Sequence, residues 1–87
     1  MNKIYKYPIQ IVEEQTLSVH ADAEVFKVGL DPLGDPCIWA VVNPKATPTP
    51  FHVRILGTGS TVPDDEFMWL GSFVQGPFMW HVFFDQE

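Results

Sequence analysis

Eight prolines and six glycines are spread between short apolar runs, and no apolar pattern of 3.6-residue spacing persists long enough to specify a helix. That punctuation leaves strands. Residues 4–7, 9–12, 16–19, 25–30, 37–42, 51–56, 67–74 and 78–84 are rich in Val, Ile, Phe and Trp, which suit a pleated, half-buried surface. The expected fold is all-β, a small antiparallel sandwich or partly open barrel of about six to eight short strands with little or no helix. At 87 residues it is expected to be a single domain, 1–87.

Alternation along these runs assigns faces, because successive strand side chains point to opposite sides. In 51–56, Phe51, Val53 and Ile55 share one face while His52 and Arg54 share the other, giving a buried and a polar side. Run 37–42 is apolar on both, with Cys37, Trp39 and Val41 opposite Ile38, Ala40 and Val42. Residues 67–84 hold seven of the twelve aromatic side chains and read as a hairpin about Gln75-Gly76-Pro77. There Phe78, Trp80, Val82 and Phe84 are expected to fill the core, and Met79, His81 and Phe83 to face a second layer or a second copy. A domain this small buries only about 60–65% of its unfolded surface, so covering two apolar faces calls for a homo-oligomer, most simply a two-fold dimer.

Two connections stand out. Asp31-Pro32-Leu33-Gly34-Asp35-Pro36 reads as a hairpin turn. Residues 43–50, with Pro44, Pro48 and Pro50, read as a stiff linker or arm outside the sheets, since proline cannot donate a ladder hydrogen bond.

With 11 acids against 5 bases the net charge is −6, a field that opposes extended nucleic acid but leaves room for a small anion at a local site. Asp64-Asp65-Glu66 is the one compact acidic cluster and reads as a solvated loop, with a metal or partner-docking role as the alternative. A single cysteine, Cys37, excludes an internal disulfide framework and fits a reducing compartment. No signal-peptide pattern or membrane-spanning apolar run of ~20 residues occurs, so the cytoplasm is the expected setting, without a membrane partner.

Chemistry-bearing residues are few. Leu56-Gly57-Thr58-Gly59-Ser60-Thr61 follows the strand that carries His52 and Arg54. Its amides and hydroxyls, with the Arg54 guanidinium, can hold phosphate or carboxylate, although the Lys-Ser/Thr ending of a P-loop is missing. The competing reading is a plain strand-exit turn. His20, His52 and His81 show neither HxH nor HExxH spacing, and Cys37 has no neighbouring thiol, so no metal site is expected. Cys37 reads as a small buried hydrophobe. Ser60 and Thr58 lack the local context of a nucleophile elbow, so no catalytic residue and no cofactor are assigned.

The segments Lys3-Ile4-Tyr5-Lys6-Tyr7-Pro8, Pro36-Cys37-Ile38-Trp39-Ala40-Val41-Val42, Gly57-Thr58-Gly59 and Gly76-Pro77-Phe78-Met79-Trp80-His81-Val82-Phe83 together resemble a family of small uncharacterised proteins of tailed phages and prophages. The resemblance implies origin rather than chemistry. Its pattern places His after Gly-Thr-Gly, where this chain has Ser60. A phage accessory protein in the host cytoplasm is expected to act without catalysis, as a homo-oligomer that sequesters a nucleotide immune signal. His52, Arg54, Gly57, Thr58, Gly59, Ser60 and Trp69 would then contact the ligand, Trp69 by stacking on its base, and Met79, His81 and Phe83 would form the interface. The alternatives are a protein-binding inhibitor of a host defence protein and a virion or replication accessory protein.

Overall fold

The computed structural model describes residues 1–62 and 67–85. The described residues form seven strands: β1 (Lys3–Pro8), β2 (Glu14–His20), β3 (Glu24–Leu30), β4 (Pro36–Val42), β5 (Pro48–Gly57), β6 (Phe67–Gln75) and β7 (Phe78–Asp85). They make two antiparallel sheets, of order β1-β4-β3 and β2-β5-β7-β6, so the fold is the all-β sandwich that the punctuation predicts. No helix among the described residues is long and apolar enough to cross a membrane. The acidic cluster Asp64-Asp65-Glu66 lies outside the described residues.

The core lies between the sheets. Ile38 from one sheet meets Val53, Ile55, Phe73 and Val82 from the other. Ile38 and Val82 are 1% and 0% exposed, and burying side chains of this size stabilises by about 1.5–3 kcal/mol each. Ile9 joins them although 9–12 is not a strand, contrary to the expectation from its apolar run. The segment has to carry the chain from one sheet to the other. Its ladder is replaced by Ile9 N–H to the Pro36 carbonyl (3.0 Å) and a reciprocal pair between the Gln10 backbone and the Gln15 side chain (3.1 and 2.7 Å).

The proline arm is also corrected. Pro48 and Pro50 belong to β5 and pair with His20 and Ser18 of β2; only the turn at 43–47 is irregular. The strand tolerates them because of parity. Ile55 N–H donates toward β2, to the Glu13 carbonyl, so the odd residues of β5 face β2 and the even ones face away. Among the described residues the β7 ladder on that far side begins only at Val53, so none of them asks either proline for an N–H.

In the last strand, Val82 is fully buried, Trp80 packs on the core and Phe84 stacks on Phe51 at 5.2 Å. Phe78 departs from its assigned core position. It lies next to the Gly76–Pro77 turn and is exposed, with its ring stacked on Trp80.

Side chains close the two flanks. Between β1 and β2, the Tyr7 hydroxyl lies 2.7 Å from His20 Nδ1 and Tyr5 packs edge-on against the same imidazole. Between β3 and β6, Val28 packs against the bare backbone of Gly71. Both flanking strands bulge there, β3 between Val25 and Lys27 and β6 between Trp69 and Gly71. Bulges interrupt pairing, which fits two sheets that touch at this flank without joining.

Candidate functional site: a notch beside the Gly-Thr-Gly turn

β2 pairs with β5 only as far as Arg54 and Glu13 takes the Ile55 N–H, so β5 residues 56–57 leave a notch on that side. Glu13, Arg54, Ile55, Gly57, Gly59, Ser60, Thr61 and Trp80 border a cavity of about 770 Å³ there. The turn that forms its rim closes through Ser60 N–H donating to the Gly57 carbonyl (3.1 Å), with Gly59 at φ 97°. A left-handed backbone of that kind favours glycine. By the parity of β5, the Gly57 amide points to the same side as that of Ile55, into the notch.

Two buried side-chain nitrogens among the described residues have no hydrogen-bond partner, Arg54 Nε and Trp80 Nε1. Both residues border this one cavity. A buried N–H without an acceptor costs about 1–3 kcal/mol. Arg54 is not otherwise idle. Its Nη2 lies 3.1 Å from Glu13 Oε1 and its Nε 3.9 Å from Glu14 Oε1, too far for a hydrogen bond, and its guanidinium sits 5.6 Å from the Phe67 ring centroid. Both glutamates are largely exposed, and such pairs contribute only about 0–1 kcal/mol, so an incoming anion can displace them.

The remaining predicted residues separate into neighbours and outliers. His52 bonds Thr16 Oγ1 through Nδ1 (2.9 Å) and borders an adjoining cavity of about 460 Å³ that shares Arg54 with the notch. Thr58 turns away from the notch toward the outer face of the four-stranded sheet, where its Oγ1 lies 2.9 Å from His81 Nε2. Trp69 is also on that face and is not brought to the notch. Its Nε1–H donates to Ser72 Oγ (3.1 Å), and Ser72 Oγ lies 2.8 Å from His81 Nδ1. His81 is therefore braced on both ring nitrogens by hydroxyls.

The ladder registers place Glu14, Arg54, Phe83 and Trp69 in one row across all four strands of this outer face. The next row is Leu56, His81 and Ser72, followed by Met79 and Val74. Trp69, Val74 and Met79 are 63%, 60% and 42% exposed. The three residues assigned to an interface, Met79, His81 and Phe83, thus share a face with an aromatic and apolar surface.

Sequence reasoning missed Trp80, Glu13 and Ser72. Trp80 reads as core by alternation, and its orphan nitrogen appears only when the notch is built. No local signal marks Glu13. Ser72 is found by counting outward from the Gly76–Pro77 turn, which sets it opposite His81. Among the described residues, no group of three or more His, Cys, Asp or Glu is placed to hold a metal ion.

The model of the family described as Domain of unknown function (DUF7352) matches residues 1–87, and the chain belongs to that family. No curated protein and no solved structure matches the chain.

Proposed function

We propose that this chain is a non-enzymatic binder of a small anionic ligand, a nucleotide in the first instance, held in the notch between Arg54, Trp80 and the Gly-Thr-Gly turn. One observation carries this reading: Arg54, whose guanidinium is held by two largely exposed glutamates, borders the same cavity as the Gly-Thr-Gly turn. A phosphate or carboxylate accepts from the Arg54 guanidinium, with the Gly57 amide and the hydroxyls of Ser60 and Thr61 at the rim. In a phage or prophage setting within the host cytoplasm, such a protein sequesters a nucleotide signal of antiviral defence. The exposed outer face, with Met79, His81 and Phe83, is the surface through which copies associate.

The test is thermal stabilisation by a panel of linear and cyclic nucleotides and inorganic phosphate. At least one member should raise the melting temperature. Arg54→Ala should abolish that shift. Absence of stabilisation by every member at high concentration, or full affinity retained in Arg54→Ala, overturns the proposal.

A second reading is favoured by the exposure of Trp69, Val74 and Met79 on one sheet face. There the chain docks a host defence protein and inhibits it. Trp69→Glu with Met79→Glu should release a stoichiometric partner while nucleotide stabilisation persists, which separates the two readings.

A further inference from the structure

Resting on the nucleotide reading of the notch, we infer that its ligand is a phosphodiester with a nucleoside on each side of the phosphate, and that Glu13 and Glu14 select it. Among the described residues, Arg54 is the one residue that borders both the notch and the adjoining cavity. Each of the two spaces also receives one of its glutamate partners, Glu13 in the notch and Glu14 in the adjoining cavity. Asp85 is a third carboxylate at the adjoining cavity, and no other lysine or arginine among the described residues borders either space.

That charge balance decides which phosphate can enter. A phosphomonoester carries about −1.5 to −2 at neutral pH and brings it to a single guanidinium ringed by carboxylates. A phosphodiester brings one charge, which Arg54 matches. Glu13 and Glu14 have side chains 71% and 74% exposed, so an entering phosphate pushes them aside without burying them. They remain tethered beside Arg54 and go on repelling the second charge of a monoester.

Shape adds to charge. A diester phosphorus bears a substituent on each side, and a cation shared by two cavities offers a place for each. The notch, at about 770 Å³, and the adjoining cavity, at about 460 Å³, both fall in the size range of small-molecule pockets. The two remaining phosphate oxygens are left to accept from the guanidinium fork. A monoester fills only one of the two spaces.

The probes are the dinucleoside monophosphate ApA, 3′,5′-cyclic AMP and 5′-AMP, with their guanine, cytosine and uracil counterparts, titrated calorimetrically into the full chain at low salt. For at least one base, affinity should fall in the order dinucleoside monophosphate, cyclic monophosphate, 5′-monophosphate. Cyclic AMP should exceed 5′-AMP about fivefold or more, a gap that added salt narrows. Combining Glu13→Gln with Glu14→Gln should tighten the 5′-monophosphate more than the dinucleoside monophosphate and close most of that gap. A 5′-monophosphate or a cyclic monophosphate that binds as tightly as the dinucleoside for every base, or a double variant that keeps the native ratio, overturns the inference while the notch stands as a nucleotide site. Failure of every probe to bind overturns the notch reading and this inference together.

Discussion

Ser72 and His81 face each other directly across the β6–β7 ladder, with Oγ and Nδ1 2.8 Å apart, and the same imidazole reaches Thr58 with its other nitrogen. The contact ties the hairpin to the connection that leaves β5. β5 and β6 both run antiparallel to β7, so they are parallel to each other and the chain after Gly57 must return along the sheet to reach Phe67. His81 holds the first step of that return.

His81→Ala should therefore loosen the Gly-Thr-Gly exit as well as the hairpin. Loss of two hydrogen bonds at about 0.5–1.5 kcal/mol each gives a measurable drop in chemical-denaturation midpoint. Ser72→Ala should remove one of those bonds and also free the Trp69 indole, shifting its fluorescence. A midpoint unchanged in both variants removes the brace from the account.

A Cβ added at Gly71 would stand 3.1 Å from both Cβ and Cγ2 of Val28. Gly71→Ala should force β6 from β3 and destabilise by about 1–3 kcal/mol. Val28→Ala, itself a cavity-forming change, should partly rescue it. A double-mutant cycle with no coupling energy would show that the flank yields instead.

Asp31 accepts the amides of Leu33 and Asp35 on Oδ1 and the Lys6 ammonium on Oδ2 at 3.0 Å. The Asp35 amide, then the Lys6 hydrogen bond, hold its carboxyl down to about 2, and the same partnership raises Lys6. A lowered folded value means that the contribution is complete above the unfolded value of 3.8 and is lost as pH falls through about 2. Stability of the native chain should thus fall more steeply than that of Asp31→Asn between these limits, with Asp31→Asn less stable at neutral pH. Parallel acid titrations followed by circular dichroism would reveal the opposite outcome as superimposable slopes.

Pro48 and Pro50 both leave the side of β5 away from β2 without a donor. Pro50→Thr restores an N–H to that edge. It should leave stability nearly unchanged and increase association with concentration, read by light scattering. No change in association would mean that side chains alone guard the edge.

Much of this architecture was legible in the chain. The strand content, the two-sided character of β4 and the division of β5 into Phe51, Val53 and Ile55 against His52 and Arg54 follow from period-two alternation. The 9–12 loop was not, because an apolar run signals burial and not hydrogen bonding: Ile9 is buried as a plug, not as a ladder residue. Pro48 and Pro50 misled because their harm depends on which side of a strand lacks a neighbour, and that is decided by β7, some thirty residues later. Grouping Arg54 with Gly57, Gly59 and Ser60 was within reach, since they are close in sequence. Trp80 enters the notch only through the β5–β7 register, which pairs it with Gly57.

The same strand order governs when the molecule can assemble. β7 sits between β5 and β6 yet is made after both, so as the chain emerges during synthesis β5 can pair only with β2 and β6 has no ladder to join. The four-stranded sheet has to wait for residues 78–85, and until then the aromatic rows of β6 stand without a neighbour, open to whatever meets them first.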